Sequence, residues 1–162
     1  MKLAFEQKMM GLTRISLGFI FFWAFIDKLW GLGFATTPAK SWLAGASPTM
    51  GFLSHASGPF AEIFHALAGL WWVDGLFMLG LLGIGAALIL GIGVRIAGYA
   101  GALLVLMMWS AVLPPANNPI LDDHIVYFFI LLAFTHMKVG RWWGFGEKWS
   151  KSDLVKANPI LE

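Results

Sequence analysis

Long apolar runs separated by short polar breaks divide this chain before any single residue is considered. From Gly75 to Gly93, GLFMLGLLGIGAALILGIG, no position is charged, and a second uncharged run, IAGYAGALLVLMMWSAVL, fills Ile96 to Leu113. Each is close to the roughly 20 residues that carry an α-helix across a bilayer. Arg95 stands in the tight link between them, so the two runs are predicted to form a helical hairpin. Leu12 to Trp30 is apolar apart from Arg14 near one end and Asp27 and Lys28 near the other. Ile125 to Phe134 supplies only about ten apolar positions, short of a span by itself. It reaches spanning length when the helix runs from about Leu121 to Val139, with Asp122, Asp123 and His124 in its first turn. PPANNP before it offers a start and KVGRWWGFG after it an exit, because Lys138, Arg141, Trp142 and Trp143 are residue types favoured at a membrane–water interface. The expectation is an all-α integral membrane protein, a single domain of four spans at about 12–30, 75–93, 96–113 and 121–139.

Residues 32–73 are too broken to cross a membrane. TTPAKSWLAG, GASPTMGFLSH and SGPFAEIFHALAGLWW each join Ser, Thr or Pro start signals to apolar residues at helical spacing. Phe60, Ile63, Phe64, Leu67 and Trp71 make one apolar stripe with Glu62 and His65 beside it. Short amphipathic helices on the outer surface are expected, either as a lid or as a membrane-hugging loop; the pattern fits both.

Composition agrees with the membrane assignment. The chain is 59% hydrophobic and 12% charged, with a mean hydropathy of +0.75. Soluble chains carry roughly 25% charged residues, and half of that does not keep a compact surface wet. A net charge of +2 without a nucleic-acid motif argues against nucleic-acid partners. The absence of cysteine excludes disulfides, cysteine-ligated iron–sulfur or zinc sites and thiol relays. The N-terminal apolar run is long and aromatic with no small-x-small cleavage site, so it is expected to be a retained span. Lys2, Lys8, Arg14, Arg95, Lys138, Arg141, Lys148, Lys151 and Lys156 fall on one side of the four-span arrangement. Lys28 and Lys40 fall on the other, beside Asp27, Glu62, Asp74, Asp122 and Asp123. The positive-inside rule then places both termini in the cytoplasm, with 140–162 as a basic cytoplasmic tail of a multi-pass protein of the plasma (inner) membrane.

Small residues suggest how the spans pack. Gly80, Gly83, Ala87 and Gly91 share a face of the second span, and Ala97 with Gly101 and Gly98 with Ala102 recur at four-residue spacing in the third. Such positions let helix backbones approach closely in lipid. GIGAAL lacks the third glycine and the flanking strand of a dinucleotide fingerprint, so packing is its role.

Charged groups inside spans are costly and call for partners. Asp27 points away from Lys28, toward Ile20 and Trp23, and is expected to meet a partner on another element. Asp74, in WWVDG, is expected to cap the second span, and Asp122 or Asp123 the fourth. Tyr127 lies four residues from Asp123 and three from His124, so if Asp123 faces inward a carboxylate, an imidazole and a phenol converge at the outer mouth, an arrangement suited to proton release in quinone chemistry. Structural pairs that fix the bundle's register are the simpler alternative for the same charges. A haem held by two histidines is disfavoured, since only His65 and His124 could meet. HExxH, facial-triad and serine-nucleophile patterns are all missing, so no metal site is expected.

RISLGFIFFWAFIDKLWGLG resembles the first helix of the DoxX/DoxD family of small four-helix membrane proteins. GLLGIGAALILGIGVRIAGYAGALL is similar to its central hairpin, with the arginine in the turn, and VLPPANNPILDDHIVYFFILL to its approach to the fourth helix. The likeness runs from about Arg14 to Trp143, and SPTMGFLSHASGPF resembles the long outer loop of the DoxD-like members. The family takes its name from subunits associated with thiosulfate:quinone oxidoreductase. The resemblance therefore implies a membrane subunit of a quinone-linked oxidoreductase, which joins two thiosulfates into tetrathionate and passes two electrons to quinone. Some relatives look like accessory subunits, which implies instead a non-enzymatic anchor or assembly partner of a second redox subunit, or a homo-oligomer. A small-solute transporter with Arg14, Lys28 and Asp27 along its path is a third possibility.

For the implied reaction the candidate catalytic residues are Asp123, His124 and Asp27. Lys28, His65, Tyr127 and Trp23 are candidate substrate contacts, and Arg14, Arg95, Asp74 and Asp122 candidate structural charges. The four aspartates at the mouth oppose a dianionic substrate, and without cysteine the electrons have no evident relay within the chain.

Overall fold

The computed structural model describes residues 3–116 and 118–162. Its helices are α1 (Phe5–Trp30), α2 (Met50–Leu53), α3 (Ala61–Leu67), α4 (Trp71–Leu90), α5 (Val94–Ala111), α6 (Asp123–Met137), α7 (Gly146–Trp149) and α8 (Asp153–Ala157), joined by short 3-10 turns, with no strand among the described residues. Three of them, α1, α4 and α5, are long and apolar enough to cross a membrane, and they mark the chain as membrane-embedded. α6 is apolar but has 15 residues. Lys138 ends it in the left-handed region at φ 52° and leads into a 3-10 turn over Val139–Arg141.

The four long helices form a bundle of two antiparallel pairs, α1 along α4 and α5 along α6, linked by the Gly91–Gly93 turn. Glycine decides where backbones touch. A Cβ on Gly18 would lie 2.8 Å from the Leu88 Cβ, and one on Gly85 would lie 2.6 Å from the Phe22 nitrogen. In the other pair, a Cβ on Gly98 would lie 2.8 Å from the Leu131 oxygen. The small residues of α5 therefore pack as expected. Those of the second span do so only in part: a Cβ on Gly91 would lie 2.5 Å from the Gly140 oxygen, whereas one on Gly80 or Gly83 would meet nothing within 4 Å, and the contact with α1 runs through Gly85. α4 is apolar on every side, so residue size alone could not select its inward face. Leu17, Phe21, Met78, Leu81, Ile84, Leu88, Val105, Leu131 and Phe134 fill the interior, while Leu76, Leu79, Leu103 and Phe129 point outward.

Residues 31–70 fold over one end of the bundle, here the loop end, and are fastened at several points. One fastening is Ser57, whose N–H donates to the Ala111 carbonyl at 3.0 Å and whose hydroxyl donates to the Leu113 carbonyl at 3.1 Å. The opposite end, the turn end, carries the α4–α5 turn and the segment after α6. That segment carries the short helices α7 and α8. Val155 is buried, the Trp149 indole donates to the Leu161 carbonyl at 2.6 Å, and Lys151 bonds Glu147 at 2.8 Å. The Lys151 hydrogen bond and charge, with a smaller contribution from Arg141, hold the Glu147 carboxyl below the usual carboxylate range.

Candidate functional site

Two of the charges singled out by the sequence, Asp27 and Arg14, bond to backbone alone. Asp27, 1% exposed, accepts the Phe34 N–H at 3.3 Å and the Ala35 N–H at 2.9 Å, one on each carboxylate oxygen. Its partner is thus the turn directly following its own helix, not another element as expected. Gly31 makes this possible: it sits at φ 69°, where a Cβ would lie 2.6 Å from Pro38, and it sends the chain back over the helix end. Arg14, 0% exposed, donates to the carbonyls of Leu88, Ile89 (3.1 Å), Trp142 (3.0 Å) and Trp143 (3.2 Å). Carbonyls in the last turn of a helix have no intrahelical donor, so the guanidinium supplies what α4 lacks.

Asp74 does not cap α4. The helix starts earlier, at Trp71, with Leu70 at the cap position and no side-chain bond there. Asp74 instead accepts the Ser47 hydroxyl at 2.8 Å and the Thr49 hydroxyl at 2.5 Å, which ties the 47–49 segment to the bundle. The apolar Trp71–Val73 stretch carries no start signal of its own, which is why the sequence placed the helix start too late.

At the start of α6, Asp122 is the cap. It accepts the His124 N–H at 3.1 Å, and its other oxygen lies 2.7 Å from His124 Nδ1. The carboxylate that meets the imidazole is therefore Asp122, while Asp123 is exposed and makes no hydrogen bond among the described residues. The extended backbone of Asp122, at φ −140°, folds its side chain over the first turn, and the next residue is turned outward. Tyr127 does not complete the expected trio: it lies in a shallow groove between α1 and α6 with Leu17 and Ile20. His65 Nε2 pairs with the Ala56 carbonyl at 3.0 Å, and Trp23 stacks on Phe19 and meets the edge of Phe34 at 5.2 Å. Among the described residues no three His, Asp or Glu side chains are placed to hold a metal ion.

Lys28 differs from these charges. It lines a chamber of about 210 Å³ beneath the folded-over segment, with walls from α2 (Phe52, Leu53), α3 (Phe64), α4 (Phe77) and α5 (Met108). It is the one charged side chain on that wall, and its ammonium makes no hydrogen bond or ion pair among the described residues. Three free donors facing an apolar, aromatic space suit the oxygen of an amphiphile whose ring occupies the rest. The chamber is smaller than the roughly 300 Å³ at which drug-sized sites begin, so it takes one ring or head group rather than a long ligand. The sequence marked Lys28 and the Phe64–Leu67 stripe, but nothing in it linked them to Phe52, Phe77 or Met108, which only folding brings together.

No family model, curated protein or solved structure matches this chain.

Proposed function

We propose that this chain is a four-span membrane subunit of a quinone-linked oxidoreductase of the DoxX/DoxD kind, with the Lys28 chamber as its quinone site. The observation that carries the proposal is an ammonium with no partner among the described residues, on an aromatic wall whose one other polar side chain, Thr49, gives its hydroxyl to Asp74. In this arrangement α6, extended through the turn at 139–141 to Trp142 and Trp143, is the fourth span. The Lys/Arg bias puts the turn end in the cytoplasm, so the chamber lies in the outer leaflet of the plasma (inner) membrane beneath an outer loop.

A bound quinone supplies the capacity to accept two electrons and two protons. Lys28 would donate a charge-assisted hydrogen bond to an oxygen of the quinone, and Phe52, Phe64 and Phe77, on the same wall, would give its ring apolar contact. The apolar lining favours a quinone over thiosulfate, whose two charges would have to shed their water to enter. Sulfur chemistry therefore belongs to a partner redox subunit, and this chain serves as the membrane component that presents the quinone. The transporter alternative is weaker, because Arg14 and Asp27 are sealed from solvent and committed to backbone.

The test is binding of a short-chain quinone to the purified chain in detergent, followed by quenching of tryptophan fluorescence. Lys28→Met is expected to weaken binding about tenfold or more, the loss of one charge-assisted hydrogen bond. Asp123→Asn is expected to change nothing. Equal binding by the wild type and Lys28→Met would remove the chamber from consideration.

A further inference from the structure

The turn end holds a second pocket of about 210 Å³, with chemistry opposite to that of the chamber. The α4–α5 turn, the end of α6 and the folded segment enclose it, and its walls carry Arg95, Lys138, Arg141 and His136 with Trp149 beside them. One carboxylate reaches in. Glu162 accepts from Arg141 Nε at 3.1 Å and from the Arg141 Nη2, and its second oxygen lies 3.7 Å from the Lys138 ammonium. Glu147, the other acidic group nearby, is 3.6 Å from Arg141 and is held closer by Lys151.

Arg95 is left over. Its guanidinium takes no carboxylate among the described residues, and its Nε is fully buried with no acceptor. A buried N–H of a guanidinium without an acceptor is expensive to maintain, and it is retained here on the wall of a cavity. Lys138 adds to the picture. It occupies a left-handed position at φ 52°, usually filled by glycine at a helix end, and a long side chain there brings an ammonium to the pocket. Among the described residues, three cations thus face one space lined by one carboxylate side chain, that of Glu162. Planar guanidinium forks beside an ammonium match a tetrahedral oxyanion.

We propose that this pocket binds a phosphate group, through Arg95, Arg141 and Lys138, and that Glu162 is an internal competitor which occupies Arg141 and Lys138 in the absence of that ligand. The phosphate belongs either to an anionic lipid head group or to a free phosphate ion. Arg95 is the anchor because it has no internal substitute.

The experiment uses the full chain purified in detergent. Binding of inorganic phosphate is titrated at constant ionic strength with chloride as the control, and retention of phosphatidylglycerol against phosphatidylcholine is read by native mass spectrometry. Glu162→Gln is expected to tighten binding about tenfold, by removing one like charge from the site. Arg95→Gln is expected to abolish binding with no loss of thermal stability in the absence of ligand, and Arg95→Lys to restore part of it. Phosphate binding without lipid retention supports a free-ion site, and selective lipid retention supports a head-group site. Absence of both from the wild type and from Glu162→Gln overturns the proposal. So does a Glu162→Gln variant that binds no more tightly than the wild type, or an Arg95→Gln variant that binds equally well.

Discussion

At the loop end, Asp27 and Asp74 collect N–H and O–H donors from residues 34, 35, 47 and 49; at the turn end, Arg14 gives its donors to the carbonyls of residues 88, 89, 142 and 143. The signs follow the partners: backbone N–H groups and hydroxyls donate at the loop end, and carbonyls accept at the turn end. A chain folding back over a helix end presents N–H groups, whereas the last turn of α4 presents carbonyls. Each end also carries a cation that does none of this work. Lys28 and Arg95 each face a cavity, and neither has an ion-pair partner among the described residues. Charges committed to backbone or loop donors belong to the architecture, although the Arg14 Nε is itself buried without an acceptor among the described residues, and charges on cavity walls carry no such commitment.

The comparison breaks first at Arg14. Arg14→Met is expected to cost about 3–5 kcal/mol of stability, since it strands several buried carbonyls at once. Chemical denaturation in mixed micelles measures this, and a loss no larger than that of Lys28→Met would erase the distinction. Asp27→Ala is next, at about 1–3 kcal/mol, because two loop N–H groups lose their acceptor. Hydrogen exchange at Phe34 and Ala35 should accelerate, with Asp27→Asn intermediate because it keeps one acceptor. The smallest effect sharpens the account of α6: Asp122→Ala should cost about 1 kcal/mol and fray the first turn. Asp123→Ala should stay within about 0.5 kcal/mol, as expected of an exposed residue. Equal effects from the two would mean that the cap is not where the geometry puts it.

Much of the framework was legible along the chain. Uncharged runs of nearly bilayer length can only satisfy their backbone as helices, which is why α4 and α5 follow from residue pattern alone; the link between them is the Gly91–Gly93 turn, and Arg95, expected in that link, lies instead in the first turn of α5. Gly98 and Gly101 were legible for a related reason, since a small residue on an otherwise bulky face marks a close approach. The choice between Gly83 and Gly85 was not, because a helix apolar all round has no face that its own sequence prefers.

Charge identity was written in the sequence, but charge partnership was not. Asp27 needed an acceptor's due of donors whatever the fold, yet which N–H groups supply them depends on the left-handed turn at Gly31. Asp122 and Asp123 are chemically equivalent, and a single backbone angle sends one over the helix end and the other into solvent. The two cavities are the most tertiary feature of all. A residue pattern records where side chains prefer to be buried, but empty space arises only where elements distant in sequence fail to fill the volume between them, and that is set by how the helices finally meet.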